Sequence, residues 1–430
     1  MKRLQRRDPE FAEFGEFLIK NSLLWLRAPA LKIMADPSYD GSAVTRRRLS
    51  MKRIAITPRA DWEHKVEAVG LICHHTEERP YWNESAYYSF NAAEIDRIES
   101  ATNELHEMCL QAAQHVIDQN RFKELAISDA AVPVIEQAWE DEPAALYGRF
   151  DLAYDDDQLK LLEYNADTPT ALLEAAVVQW DWLQELFPKL DQFNSIHEKL
   201  LAKWRELKPY VANPLHFTYL EPPDVENSED LMTVSYLLDV ASQAGIESVL
   251  MRIDDIGWDE RQNCFIDLDG RPMQSIFKLY PWEWLLSDQF ASQLLSSYTL
   301  TQWIEPIWKM LLSNKGILPI LWELFPGHPN LLEAHFNGPK NLRDYVKKPL
   351  LSREGANLTI HRGGSAQQTG GPYGKEGFIY QAMARIPNFN DAFPVIGSWL
   401  IDGVAAGIGI RESNTPVTNN LSCFVPHLFG

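Results

Sequence analysis

The sequence predicts a mixed fold of the α/β or α+β type, because helical and extended patterns alternate along the chain. A helical period of apolar residues spans 92–120, and two apolar-rich segments flank a polar turn within 149–166. A second helical pattern at 230–245 precedes strand-like runs at 248–260 and 272–280. With 430 residues, 45% of them hydrophobic, the chain can form two or three structural units around a large core.

Two helices are predicted in the first half of the chain. In segment 92–120, Ile95, Ile98 and Leu105 recur at helical spacing. The second helix is expected to begin at Thr168, since threonine is a good N-cap and Pro169 suits the first helical position. The apolar residues that follow repeat every three to four positions.

Between these helices, residues 149–166 (RFDLAYDDDQLKLLEYNA) predict a β-hairpin with an Asp-rich turn. Residues two apart on a strand share a face, so Arg149 lies with Asp151, and Glu163 lies with Asn165. If residue 151 pairs with 163, all four side chains converge on one face. The alternative register places the two pairs on opposite faces, and the sequence leaves this choice open.

The remaining elements follow from turn signals. The helix at 230–245 is expected to end at Gly245, a residue that suits a helix C-terminus. The Gly-rich, poorly patterned segment 362–377 predicts a mobile loop, and strand character returns at 377–383 and 403–411.

The composition excludes some classes of partner. The net charge of −20 argues against nucleic acid or an anionic membrane, which need a basic surface, and favours a small substrate that carries amines. Four scattered cysteines indicate a reducing cytoplasm, and stable membrane insertion is not expected, because no run reaches the roughly 20 apolar residues of a span. Residues 1–50 carry ten Lys and Arg against six Asp and Glu. Such a basic segment could be an interfacial anchor or a targeting leader. We interpret it as an N-terminal extension, because it lacks the apolar region and cleavage site of a secretory signal.

The hairpin carries the strongest candidate site. Carboxylates from Asp151 and Glu163, with the Asn165 carbonyl, form the oxygen ligand set that suits Mg²⁺. A magnesium ion held by two or three protein oxygens keeps its other positions for water and nucleotide phosphates. Spacing alone favours a simpler interpretation, a solvated hairpin whose charges face water.

Two other groups are weaker candidates. Lys315 and Lys348 could each hold a phosphate as a point charge, although their spacing alone is typical of surface lysines. The Cys73-His74-His75 triplet could supply a nucleophile and base, or soft metal ligands. Adjacent side chains on a strand or helix point apart, so ordinary packing is the better interpretation of the triplet.

Six motifs occur in order along the chain. They are GRFD (148–151), LLEYNADTPT (161–170), FKLYPWEW (277–284), SNKGILPILWELFPGHPNLL (313–332), KKPLLSREGAN (347–357) and GIGIRESN (407–414). Together they resemble the glutathionylspermidine synthetase family, and most closely its stand-alone bacterial acid–amine ligases. The similarity runs over 51–430, leaves 1–50 outside it, and implies no separate amidase domain.

The resemblance implies an α+β ATP-grasp architecture, with ATP and Mg²⁺ between two α+β lobes and an additional substrate-binding α/β region. It places the transition-state-stabilising arginine at Arg149. It also implies metal ligands at Asp151, Glu163 and Asn165, and ATP contacts at Arg149, Phe150, Asp151, Lys315, Lys348, Gly355, Gln381, Arg411 and Pro416. Weaker substrate positions are Thr168, Thr170, Glu229 and Asp230.

The implied reaction joins a small carboxylic acid to an amine through an acyl phosphate, with release of ADP and phosphate. Positive groups would neutralise charge on the moving phosphoryl group, and a closed Gly-rich loop would exclude water. Two alternatives use the same nucleotide cleft. One is a phosphotransferase acting on a hydroxyl group, and the other is a non-catalytic nucleotide-binding protein.

Overall fold

The computed structural model describes residues 51–76, 80–155, 158–221, 228–416 and 422–430, so the predicted extension 1–50 lies outside it. The fold is a mixture of helices and strands, as the sequence predicts. The strands are β1 Lys52–Ala55, β2 Ala86–Phe90, β3 Tyr147–Asp155, β4 Gln158–Asn165, β5 Leu215–Tyr219, β6 Ser248–Arg252, β7 Gly257–Asp259, β8 Cys264–Ile266, β9 Ser275–Leu279, β10 Gln302–Ile304, β11 Ala334–His335, β12 Tyr345–Pro349, β13 Thr359–Arg362, β14 Ser365–Gln368, β15 Phe378–Ala382, β16 Phe393–Ile401, β17 Val404–Ser413, β18 Cys423–Val425 and β19 His427–Phe429.

The helices are mostly short, and several one-turn 3₁₀ segments lie between them. They are α1 Trp62–Ala68, α2 Ala92–Asp118, α3 Val132–Glu140, α4 Gln179–Leu186, α5 Ile196–Leu207, α6 Glu229–Gln243, α7 Trp282–Leu285, α8 Ala291–Ser297, α9 Met310–Ser313 and α10 Ile317–Leu324. Within the described ranges, none of them combines the length and apolar character that crossing a bilayer requires.

Two antiparallel sheets of five strands and one parallel sheet of four strands organise the chain. The first antiparallel sheet has the order β18-β17-β16-β3-β4, and the second has the order β11-β15-β12-β13-β14. The parallel sheet has the order β10-β9-β5-β6. A small sheet, β1-β2-β19, and the β7-β8 pair complete the strands of the described residues.

The long helix α2 covers one face of the first antiparallel sheet, where it packs against β16 and β17. Its start is fixed by a capping box, in which the Asn91 side chain accepts from the Glu94 backbone N–H and the Glu94 carboxylate accepts from the Asn91 N–H. Ile98, Leu105 and Cys109 are fully buried on its inner face. The predicted helix over 92–120 is therefore confirmed.

The predicted hairpin is β3-β4, and its register brings the polar residues together. Arg149 pairs with Asn165 and Asp151 pairs with Glu163, so the convergent register is the one that forms. Beyond this point the pairing shifts, because Leu152 lies opposite Leu161 and Leu162 is left over as a bulge.

The parallel sheet places a second group of residues near the hairpin. Strand β5 has β6 on one side and β9 on the other, so the connections reverse direction between β5 and β9. Crevices at the carboxyl ends of strands at such a reversal are common ligand sites. Helix α6 begins shortly after β5 ends, with Ser228 as its N-cap, and this brings Glu229 and Asp230 to that end of the sheet.

Two predicted elements differ from the structure. The helix expected at Thr168 begins only after Ala171, whose φ of 66° is left-handed, because the polar groups of 168–170 bind other elements instead of capping a helix. The helix then contains a π-helical turn, Glu174–Val178. In the predicted loop 362–377, β14 pairs with β13 across Gly363 and Gly364, whose positive φ angles permit a tight two-residue turn.

Candidate active site

The hairpin face gathers two carboxylates, one amide and one guanidinium. Arg149 Nε donates to Asp151 Oδ1 at 2.8 Å, and Asn165 Nδ2 lies 3.4 Å from both Asp151 Oδ2 and Glu163 Oε1. Arg411, on the neighbouring strand β17, donates to Asp151 Oδ2 at 2.5 Å. The predicted metal ligands Asp151, Glu163 and Asn165 therefore lie side by side.

Arg149 is held in one orientation by its surroundings. Its Nη1 donates to the Thr170 carbonyl at 2.7 Å, and its guanidinium carbon lies 5.6 Å from the Trp399 ring centroid. Gly397 on β16 has no side chain and so leaves space for the Arg149 side chain, since a Cβ at this position would lie 2.9 Å from Arg149 Cδ. Burial alone would lower the pKa of Arg149, but Asp151 outweighs it and raises that pKa, so the group stays cationic.

Two lysines approach the same carboxylates from other parts of the chain. Lys315 Nζ lies 3.0 Å from Glu163 Oε2 and donates to the Ser352 carbonyl at 2.5 Å. Lys348 on β12 donates to the Leu162 carbonyl at 3.0 Å. The bulge in β4 turns this carbonyl away from the hairpin ladder, so the same irregularity sets the register and accepts the lysine.

The charges of this group are strongly interdependent. Burial alone would raise the pKa of Glu163, but Lys315 and Lys348 hold that pKa far below its usual range. Burial lowers the pKa of Lys348 to about 8, against the opposing attraction of Glu163. An anion that binds beside Lys348 would stabilise the charged form of this lysine and raise its pKa.

These residues line one cleft between the two antiparallel sheets. Asp151, Glu163, Lys315 and Lys348 form its charged part, and the predicted residues Gly355 and Pro416 also line it. The other lining residues are Ser352 and eight apolar residues, namely Leu162, Val346, Leu358, Ile360, Met383, Ala384, Ile386 and Val395. Charged and apolar walls in one cleft suit a ligand with an anionic end and a flat, apolar end.

Two residues that were predicted to contact ATP, Phe150 and Gln381, are not among the residues that line this cleft. The Phe150 side chain is on the opposite face of the hairpin, fully buried against Tyr164 with ring centroids 4.0 Å apart, so only its backbone faces the cleft region. Gln381 is buried in β15, and its Nε2 donates to the Leu161 carbonyl at 3.1 Å. Gln381 thus ties the second antiparallel sheet to the hairpin.

The predicted substrate residues Thr168 and Thr170 lie in the segment that follows β4. Thr168 Oγ1 accepts from both terminal nitrogens of Arg353, each at 3.0 Å, while the Thr170 carbonyl accepts from Arg149. Arg353 comes from the loop between β12 and β13 that also contains Gly355. The sequence analysis did not include Arg353 among the site residues.

A group of carboxylates lies beside Arg149 and Arg353. Tyr81 OH donates to Glu174 Oε1 at 2.6 Å, and Glu174 is almost fully buried. Burial and the nearby Glu229 carboxylate raise the pKa of Glu174 to about 7. Burial also raises the pKa of Asp230 to about 7, with added repulsion from Glu229 and Glu354.

Sequence reasoning also missed Lys278 and its partner Asp167, which join the hairpin to the parallel sheet. Lys278 Nζ lies 2.5 Å from Asp167 Oδ1, and Asp167 Oδ2 accepts from the Trp282 backbone N–H at 3.0 Å. The Asp167 backbone N–H donates to Ser313 Oγ at 2.8 Å. Ser313 lies two positions before Lys315 in the chain. The sequence offered one indication of this pair, because Asp167 lies in the motif at 161–170 and Lys278 in the motif at 277–284.

The donor set of the hairpin fits magnesium. Two carboxylates and a carboxamide within mutual reach supply hard oxygen ligands, whereas zinc is usually bound by sulfur and nitrogen. A mixed α and β fold with this charged cleft is consistent with an enzyme of the ATP-grasp type. A family model described as "Glutathionylspermidine synthase preATP-grasp" matches residues 53–430. The chain therefore belongs to the glutathionylspermidine synthase family.

Several known proteins are similar to the chain. A Haemophilus influenzae protein named "Putative acid--amine ligase" is 41% identical, and the alignment covers 88% of this chain and all of that protein. The trypanothione synthetase of Crithidia fasciculata is 28% identical over 73% of this chain. The Escherichia coli bifunctional glutathionylspermidine synthetase/amidase is 27% identical over 79%. The chain spans only 52% and 58% of the last two proteins.

One solved structure has a similar fold. It is a glutathione synthetase-like effector from Globodera pallida in its apo form, with a TM-score of 0.52 and 10% sequence identity. The superposition covers 99% of this chain and 98% of the effector. At this identity the likeness concerns the fold alone.

Proposed function

We propose that this protein joins a small carboxylic acid to an amine through an acyl phosphate, with release of ADP and phosphate. The observation that carries the proposal is the convergence of Asp151, Glu163, Lys315 and Lys348 in one cleft. Asn165 lies 3.4 Å from both carboxylates. The chain is an enzyme of the ligase class, as its relatives are, and its reaction forms a C–N bond at the expense of ATP.

Each group has a role in this reaction. The apolar walls of the cleft hold the base of ATP, and Lys315 and Lys348 hold its phosphates as fixed positive charges. Asp151, Glu163 and Asn165 would hold Mg²⁺, which when bound neutralises charge on the phosphates. Arg149 lies beside them and stabilises the negative charge that spreads over the transferred phosphoryl group.

The bond changes balance without any further reactant. A carboxylate oxygen of the acid attacks the γ-phosphorus of ATP, the bond to the β-phosphate oxygen breaks, and ADP leaves. The amine nitrogen then attacks the carbonyl carbon of the acyl phosphate, and phosphate leaves as the amide forms. A nitrogen that arrives as an ammonium ion loses one proton before the attack, which frees its lone pair, and a second proton as the amide forms. Closing the loop around Gly355 would keep water from competing with the amine.

The carboxylates beside the cleft support an amine that arrives as a cation. After burial, the Glu229 carboxylate raises the pKa of Glu174, Asp230 and Glu354, while Arg149 opposes this at Glu174 and Arg353 opposes it at Asp230 and Glu354. Such a group repels a second anion and attracts an ammonium ion. We therefore assign the acid substrate to the arginine side and the amine to the carboxylate side.

Glu163→Gln is expected to weaken the dependence of turnover on Mg²⁺. The change removes a negative charge from the proposed ligand set but keeps the size of the side chain. Titration of activity with Mg²⁺ at saturating ATP should show a half-activating concentration at least about tenfold higher. Glu323→Gln, at a half-exposed acid that pairs with Arg121 on the surface, is the control and should leave the titration unchanged. An unaltered titration in Glu163→Gln would remove Glu163 from the ligand set.

The affinity for the amine is expected to rise between about pH 6 and 8. The pKa of Asp230 is raised to about 7, so its carboxylate is largely neutral below that pH and becomes charged above it. The KM for the amine should therefore fall as the pH rises, while the amine itself stays protonated. In Asp230→Asn the fall should be smaller but not abolished, because the pKa of Glu174 is also raised to about 7. An unchanged pH profile in that variant would contradict the place of Asp230 in the amine site.

The product experiment decides between ligation and its alternatives. The protein is incubated with ATP, Mg²⁺ and a metabolite extract, and ADP release is measured together with mass spectrometry of new compounds. A new amide that accompanies ADP supports the proposal. A phosphorylated metabolite without an amide would point to a phosphotransferase, and no ATP turnover with any mixture would point to a binding protein.

A further inference from the structure

A second group of metal-ligating side chains lies on α1 and the segment that follows it. The sequence interpretation of ordinary packing rests on adjacent side chains pointing apart. His74 and His75 lie in an irregular segment, and their side chains converge instead, with the two Nδ1 atoms 2.7 Å apart. At this separation the N–H of one ring donates a hydrogen bond to the bare nitrogen of the other.

Glu63 on α1 completes the group. One ligand atom from each of Glu63, His74 and His75 can be chosen so that all three lie within 4.8 Å of one another. Glu63 Oε1 lies 3.6 Å from His75 Nε2. Two atoms that bind one zinc ion tetrahedrally lie about 3.4 Å apart. The three side chains must therefore rotate to bring the chosen atoms from within 4.8 Å to this spacing. The side chain of His75 is 43% exposed, which leaves it room to move.

The neighbours restrict the His74 ring in particular, whose side chain is only 14% exposed. His74 Nε2 lies 2.9 Å from Glu67 Oε1, and a carboxylate on the far ring nitrogen is typical of histidines that bind metals. Trp62 lies against both rings, with centroids 5.5 and 5.4 Å away. Such contacts reduce the rotamer entropy that the two histidines lose when they bind an ion.

We propose that Glu63, His74 and His75 form a binding site for a divalent cation of borderline softness, with Zn²⁺ as the representative ion. Two imidazole nitrogens and one carboxylate oxygen match the ligands of zinc, and the exposure of Glu63 and His75 leaves the fourth position to water. The ion would tie the segment after α1 to that helix. This proposal is independent of the ligase reaction, which uses the oxygen ligands of the hairpin.

Calorimetric titration of the tag-free full chain with ZnCl₂ tests the proposal. The protein is first treated with a chelator, and Mg²⁺ is kept in large excess so that the oxygen-ligand site stays occupied. We expect one tight site per chain and a higher thermal midpoint with Zn²⁺. The double variant His74→Ala/His75→Ala should lose both effects, and Glu67→Gln should weaken binding about 10–100-fold.

His64→Ala is the matched control, because His64 is an exposed histidine on the same helix and lies outside the group. It should bind Zn²⁺ as the unaltered chain does. The double variant should keep its metal-free thermal midpoint, which shows that the fold is retained. Equal Zn²⁺ affinity in the double variant and the unaltered chain would overturn the proposal, as would no binding at micromolar Zn²⁺.

Discussion

Arg149→Ala is expected to lower kcat by about 10²–10³-fold while ATP binding changes little. The guanidinium is buried beside the proposed metal ligands, in the position to stabilise charge that develops on the phosphoryl group. The fold should persist, because Arg411 still pairs with Asp151 after the substitution. Steady-state kinetics and calorimetric ATP titration together separate the loss of turnover from any loss of binding.

Two further variants sharpen this test. Arg149→Lys keeps the charge but loses the forked contact with Asp151, and should recover only part of kcat. Arg362→Ala, at an exposed arginine of β13, should have no effect on kcat. If kcat in Arg149→Ala equals that of the unaltered protein, Arg149 has no part in the chemical step.

The second large effect concerns stability. Lys278→Met and Asp167→Asn should each destabilise the protein by about 3–5 kcal/mol, because each leaves a buried charge without its partner. Both side chains are almost fully buried, and burial lowers the pKa of Lys278 even against the attraction of Asp167. Urea unfolding followed by tryptophan fluorescence should show a clearly lower midpoint for both variants.

The double variant Lys278→Met/Asp167→Asn separates the pair from the individual side chains. With neither charge present, it should be more stable than the sum of the two single effects predicts. Arg271→Met, which removes an exposed ion pair with Asp269, should change the midpoint very little. Strict additivity in the buried pair would mean that the two charges do not stabilise each other.

Much of the site could be predicted because it depends on local patterns. The hairpin, the helix over 92–120 and the strands near 377–383 and 403–411 are confirmed by the structure, since their period and turn signals are strong. The family is confirmed by the comparisons. The roles assigned to the site residues remain predictions.

What could not be predicted depends on contacts between distant segments. Thr168 has the composition of an N-cap, yet its hydroxyl binds Arg353, which lies 185 positions away, and the helix starts later. The approach of Lys278 to Asp167 depends on how the parallel sheet packs against the hairpin. Glu174 gave no local signal, because its importance comes from Tyr81 and from the burial of both.

The unpaired Leu162 in β4 determines which residues of that strand share a face with Arg149 and Asp151. If Leu162 paired with Asp151, the spacing that pairs Leu152 with Leu161 would continue, and Glu163 and Asn165 would face away from Arg149 and Asp151. Deleting Leu162 should give a regular ladder that still pairs Asp151 with Glu163, so the polar side chains should stay on one face, while Lys348 loses the carbonyl to which it donates.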